Sequence, residues 1–198
     1  MNPTQILSDE HRVIEVVLNC LEELSGQALQ FHRLDKEAAE QILDLIRNFA
    51  DKCHHGKEET HLFARLTAKG MPAEGGPVGQ MLAEHKQGRE FVAAMTENLE
   101  SAAEGDNDAL RLFVDAARGY VQLLRAHIQK EDVVLFPLAE RILNEMEKQE
   151  LLDSFNHVEA REMGSGTHER YLALARALAD KFGVAMTDIP TTGCGCAH

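Results

Sequence analysis

The chain has 198 residues and a formal net charge of −13, with 44% hydrophobic and 27% charged residues. That length suits one domain with a small appendage, and the composition is that of a folded chain rather than a disordered one. The acidic balance argues against a nucleic-acid partner, which needs a basic face, and no apolar run reaches the roughly 18 residues of a membrane span.

The N-terminus, MNPTQILSDEHR, lacks the basic-then-apolar order of a secretory signal. Cys20 and Cys53 are isolated in helical patterns, and Cys194 and Cys196 form a tail pair. This is no disulfide framework, so a reducing, cytoplasmic location is expected.

Apolar periodicity predicts helices throughout, and no strand-like alternation competes with it. The first segment runs from about Pro3 to Leu29, with Leu7, Ile14, Leu18 and Leu21 on one stripe and His11 among them. The second runs from about Asp35 to Leu66, where Leu43, Ile46 and Ala50 lead to His54 on the same face. Gly and Pro crowd in AKGMPAEGGPVGQ and break the helix there. Neither this stretch nor MGSG has the spacing of a phosphate-binding loop.

The third segment, about Val78 to Leu99, carries Met81, His85, Val92 and Met95 on its stripe. After the turn EGDND, a fourth begins near Asp108 and places Phe113, Tyr120, Leu124, His127, Glu131 and Val134 on one broad face. Pro137 is expected to kink this helix or end its regular part, with helical pattern returning from Leu138 through Leu152. A last helix, capped by Thr167, would present Leu172, Leu178 and Phe182. The expected architecture is all-α, an up-and-down four-helix bundle over residues 1–145, with a helical C-terminal appendage over 146–184 and a flexible Cys-containing tail over 185–198.

Two helices repeat one constellation. His54, Glu58, Leu62 and Phe63 stand at the same offsets as His127, Glu131, Leu135 and Phe136, and Lys57 matches Lys130 while Glu59 matches Asp132. Residues four apart share a helix face, so each His-x-x-x-Glu pair can grip one metal, or its carboxylate can bridge two. Imidazole with carboxylate suits iron, manganese or zinc better than a soft thiolate centre would. His11 and His85 add one imidazole from each remaining helix. A histidine on an apolar stripe is by itself usually a core residue with a satisfied hydrogen bond. Four such histidines with two inward carboxylates favour a metal site, because burying unpaired carboxylates without a cation is costly. The alternative is a buried His–Glu hydrogen-bond network.

With Glu10–His11, His54-x-x-x-Glu58, Glu84–His85 and His127-x-x-x-Glu131 in order, the sequence from about Ile6 to Ala139 resembles the hemerythrin-like, or HHE cation-binding, family. The resemblance implies a four-helix bundle around a non-haem diiron centre, oxo- or hydroxo-bridged. It also implies reversible dioxygen binding, or sensing of oxygen, nitric oxide or iron. It makes His11, His54, His85 and His127 histidine ligands and Glu58 and Glu131 bridging carboxylates. The oxygen carriers have a further histidine in the third helix, where this chain offers only Met81 and Arg89. Related members take a ligand beside the second-helix histidine, and His55 stands there. His61, three residues after Glu58, is a competitor for that seventh place, as is water. Manganese and zinc are not excluded by these residues.

Two further features have a bland and a sharper reading. Tyr120, seven residues before His127, is either a core aromatic or a donor to a bound oxygen species or to the network around Glu131. Cys194, Cys196 and His198 are either an inert tail or a group for a soft metal or redox pair. Cys53 points about 100° away from His54 on the helix, so no Cys–His catalytic pair is expected. Three functions compete: a diiron protein that binds or senses dioxygen, nitric oxide, peroxide or iron status; a diiron redox enzyme acting on peroxide or nitric oxide; and an iron-responsive module whose C-terminal region meets a protein partner.

Overall fold

The computed structural model describes residues 2–159 and 166–186. The tail residues Cys194, Cys196 and His198 lie outside them. Among the described residues the protein is all-α: six helices, with no strand. Helix α1 is Pro3–Phe31, opened by Asn2, whose side chain accepts the Thr4 N–H, with Pro3 in the first turn where its missing N–H costs nothing. Helix α2 spans residues 36–68, and α3 is Gly76–Ala103. Helix α4 spans residues 107–142, capped by Asp106. Helices α5, Glu145–Val158, and α6, Thr167–Phe182, follow. The short links after α1, α2 and α3 force antiparallel neighbours, and α1–α4 form the expected bundle. No helix among the described residues is long and apolar enough to cross a membrane.

Three local features depart from the sequence expectations or refine them. The glycine-rich break is shorter than its composition suggests, because Gly76 and Pro77 already belong to the first turn of α3. Pro137 does not end α4, which runs on to Ile142 and stops where Leu143 becomes extended, but the regular α part does end at Lys130, shortly before it. Asn144 then opens α5 in a reciprocal cap with Glu147. A π-helical segment, Glu131–Leu135, lies just upstream of Pro137 and widens the turn whose carbonyl the proline cannot satisfy. Finally, Thr167 is the first residue of α6, and Gly166, in the left-handed region at φ 80°, holds the cap position. Leu172, Leu178 and Phe182 are buried as expected.

Two apolar clusters divide the interior. The larger gathers Ile14, Leu18, Ile42, Phe49, Met95, Phe113, Leu124 and, from α6, Leu178. The smaller gathers Leu7, Leu62, Phe63, Met81, Leu135, Phe136 and, from α5, Leu151 and Phe155. On each bundle helix the inward histidines fall between the residues that enter one cluster and those that enter the other. A polar layer is thus sandwiched between two apolar ones, which exclude water from it.

Candidate metal centre

Apart from His61, the residues singled out for the site converge on that layer. His11, His54, His55, Glu58, His85, His127 and Glu131 are all buried, none more than 4% exposed. They form two overlapping groups whose polar atoms lie within 4.8 Å of one another: His11, His54, Glu58 and Glu131, and His55, Glu58, His85 and His127. Both carboxylates span the two groups. Glu58 Oε1 is 3.5 Å from His54 Nε2, and its Oε2 is 3.6 Å from His85 Nε2. Glu131 Oε2 is 3.3 Å from His11 Nε2 and 3.2 Å from His127 Nε2.

His54, His55 and Glu58 sit in two π-helical stretches of α2, Ile46–His55 and Glu58–Phe63, and Glu131 begins the one in α4. A π turn holds more residues than an α turn, so successive side chains diverge less. That is how adjacent His54 and His55 both face inward. Their rings lie 5.6 Å apart, and His55 stacks on His85 at 3.8 Å.

A carboxylate stands behind each imidazole. Nδ1–H of His11 donates to Asp132 (2.9 Å), of His54 to Glu10 (2.9 Å), of His55 to Asp51 (3.3 Å), of His85 to Glu59 (2.7 Å) and of His127 to Glu84 (2.9 Å). A carboxylate only accepts, so these bonds fix the tautomer and leave Nε2 of each neutral ring as a lone pair. The carboxylates are held by cations in turn: Asp132 by Arg12, Glu10 by Lys57, Glu84 by Lys130, and Asp51 and Glu59 by Arg89.

The inner faces therefore collect acceptors with no donors. Nε2 of His11, His54 and His55 and both oxygens of Glu58 and Glu131 are buried without a hydrogen-bond partner. His85 Nε2 faces His127 Nε2 at 3.0 Å, so at least one of these atoms must carry a proton or share a cation. Unpaired buried acceptors are individually costly, and their convergence here is what a cation would resolve. This buried His/Glu cluster is capable of coordinating metal ions.

In the metal-free state, protons take that role. Burial opposes charge on His127, but Glu131 and Glu84 outweigh it and push its pKa up to about 9. His11 is raised against burial by Asp132 and Glu131. Burial holds His54 down to about 4 and His55 well below the usual imidazole range. Burial and the facing Glu131 raise Glu58 well above the ordinary carboxyl range, whereas His127 and His11 overcome burial at Glu131 and lower it.

The remaining expectations sort cleanly. His61 lies against Phe155 of α5, ring centroids 6.3 Å apart, outside both groups. Tyr120 is buried and makes no bond to Glu131. It lines a cleft of about 480 Å³ between α2, α3 and α4, whose wall also includes Ile46, Val92, Arg89 and the edges of His55 and His85. Cys53 and Cys20 are buried, their thiols pushed up to about 12 and about 11 by burial, which leaves them unreactive. The outer carboxylates and their cations went unassigned in the sequence. Their signal was there: Lys57 and Lys130, and Glu59 and Asp132, match within the repeat, and Glu10 and Glu84 precede the two single histidines.

The Hemerythrin HHE cation binding domain family model matches residues 2–139. Uncharacterised proteins of Mycobacterium bovis and Mycobacterium tuberculosis are each 23% identical to the chain over 158 residues, covering 80% of it and 61% of the relative. The chain thus spans less than two thirds of the length of these relatives. No solved structure matches it.

Proposed function

The chain belongs to the hemerythrin HHE cation-binding family, and from that premise we propose that it holds a pair of iron ions and uses them to bind or sense dioxygen, nitric oxide or peroxide. The observation that carries this reading is the donor-free inner face: imidazole lone pairs and four carboxylate oxygens are buried together, with only protons to balance them. His11, His54, Glu58 and Glu131 would hold one ion, and His55, His85, His127 and Glu58 the other, with Glu131 reaching both groups. Bound iron would supply reversible redox chemistry and an exchangeable position for a small ligand.

The chain's own residues prepare that chemistry. Asp132, Glu10, Asp51, Glu59 and Glu84 orient the five rings and keep each proton on Nδ1. Two apolar clusters keep bulk water from the layer. The proton that the facing Nε2 atoms of His85 and His127 require would be given up when a cation arrives, so uptake of metal should release protons. The cleft beside His55 and His85 brings small molecules to the edge of one group.

Elemental analysis of protein purified without a metal-affinity tag, with its visible spectrum in air, tests the reading. About two irons per chain with near-ultraviolet oxo-bridge absorption are expected. Manganese or zinc in their place would correct the metal. A folded chain that stays metal-free after anaerobic reconstitution with iron would leave only the hydrogen-bond network.

A further inference from the structure

The repeat makes the two halves of the cluster near-equivalent, and one lysine breaks the equivalence. Lys130 donates to Glu84 and is 41% exposed, whereas its counterpart Lys57 is fully buried. Lys57 Nζ donates both to Glu10 Oε1 and, at 2.6 Å, to Glu159 Oε1. Glu159 follows the last turn of α5, and Phe155 of the same helix lays its ring 5.9 Å from the ammonium. His168 of α6 has a nitrogen within 4.8 Å of carboxylate oxygens of both Glu10 and Glu159. Phe155, Glu159 and His168 lie beyond residues 2–139, the part matched to the family.

We propose that Glu159 is a positioning residue for the metal cluster, acting through Lys57 and Glu10 on His54. The inference rests on the metal-centre reading above only for its functional consequence. An ammonium has three donors, and two carboxylates fix the direction of two of them. Sharing Lys57 with Glu159 leaves more negative charge on Glu10 than an exclusive pair would. Glu10 is then a stronger acceptor for His54 Nδ1–H, and a more polarised N–H makes Nε2 of the same ring a stronger donor to a cation. His127, whose outer carboxylate has no such second acid behind its lysine, lacks this adjustment. The C-terminal helices therefore tune one half of the site and leave the other to the bundle alone.

The test uses the full chain with Glu159→Gln, which removes charge but keeps shape. Glu150→Gln is the control, because it weakens the 2.8 Å pair with Arg65 that also ties α5 to α2, a pair with neither member in the two groups of the site or among their outer carboxylates and cations. In metal-free protein, the His54 Nδ1–H proton resonance should move upfield in Glu159→Gln and stay in place in Glu150→Gln, with the His127 resonance unmoved in both. In iron-loaded protein, one of two release phases to a chelator should accelerate about tenfold, the low end of what partners of ligating histidines contribute, and the midpoint potential should rise. Glu159→Asp should restore part of each effect. An unmoved His54 resonance, or equal movement in Glu150→Gln, overturns the proposal. If the resonance moves as stated in a protein that takes up no metal, the relay stands and the metal-centre reading falls. If metal is taken up and Glu159→Gln changes nothing, only the relay falls.

Discussion

Glu58 is buried with neither oxygen hydrogen-bonded, and burial with Glu131 opposite raises its pKa. A carboxyl in that state costs the fold stability unless a cation meets its oxygens. Glu58→Gln should therefore separate stability from function: metal-free protein gains on the order of 1–2 kcal/mol because a buried carboxyl no longer has to take up a proton to fold, while iron content drops toward zero. Calorimetry on metal-free protein beside metal analysis reads both, and a variant that loses stability while keeping its iron would refute the assignment. Glu10 behaves oppositely. Burial alone would raise its carboxyl, but Lys57 and His54 hold it at about 2 against an ordinary 4.5. A pKa lower in the folded state stabilises above the unfolded value, and that stability is lost as pH falls from about 4.5 toward about 2. The shift corresponds to something on the order of 3 kcal/mol in metal-free protein. Glu10→Gln should cost about that much near neutral pH and flatten the acid limb of urea midpoints measured against pH.

At the scale of elements, the Leu-Phe pair that closes each repeat has a task in the site. Phe136 stacks on His11 with centroids 5.4 Å apart, and Phe63 stacks on His85 at 5.8 Å. Each phenylalanine thus comes from a His-x-x-x-Glu helix and steadies the histidine of a Glu–His helix. Phe136→Leu keeps the apolar contact but loses the flat face, so it should cost less than the 3–5 kcal/mol of a truncation to alanine. It should speed metal release from the His11 group and spare the His85 group; Phe63→Leu should do the reverse, in the same chelator assay. The helices and their inward histidines were legible in sequence because apolar period and His spacing are local signals. The π segments were not. Their wider turns depend on tertiary contacts, and the run from Ile46 to Phe63 reads as ordinary amphipathic helix. That is also why His55 could only be placed by resemblance: on a regular helix it points well away from His54. Pro137 was legible in part for a related reason: the regular α part ends before it, but the π turn carries the helix on to Ile142. Lys57 and Glu159 meet across 102 residues of chain, a distance at which no periodicity speaks.

On the scale of the whole molecule, the site layer and the larger apolar cluster are separable sources of stability. Helix α6 packs on α1 and α2, and Leu178 is buried in the larger cluster ten residues beyond His168, about 15 Å along the helix. Leu178→Ala should cost about 2–5 kcal/mol, a fall in Tm on the order of 10 °C for a chain of this size. Metal at a thousandfold excess over its Kd should add about 4 kcal/mol, because it binds only the folded layer. Since Leu178 touches neither group of the site, the two effects should add, and the metal-induced rise in Tm should be the same in wild type and variant. Calorimetry of both proteins, with and without iron, gives the four numbers needed. A smaller metal-induced rise in the variant would mean that Leu178→Ala weakens metal binding by the folded protein, and that α6 supports the metal layer through more than the Glu159 contact of its neighbour.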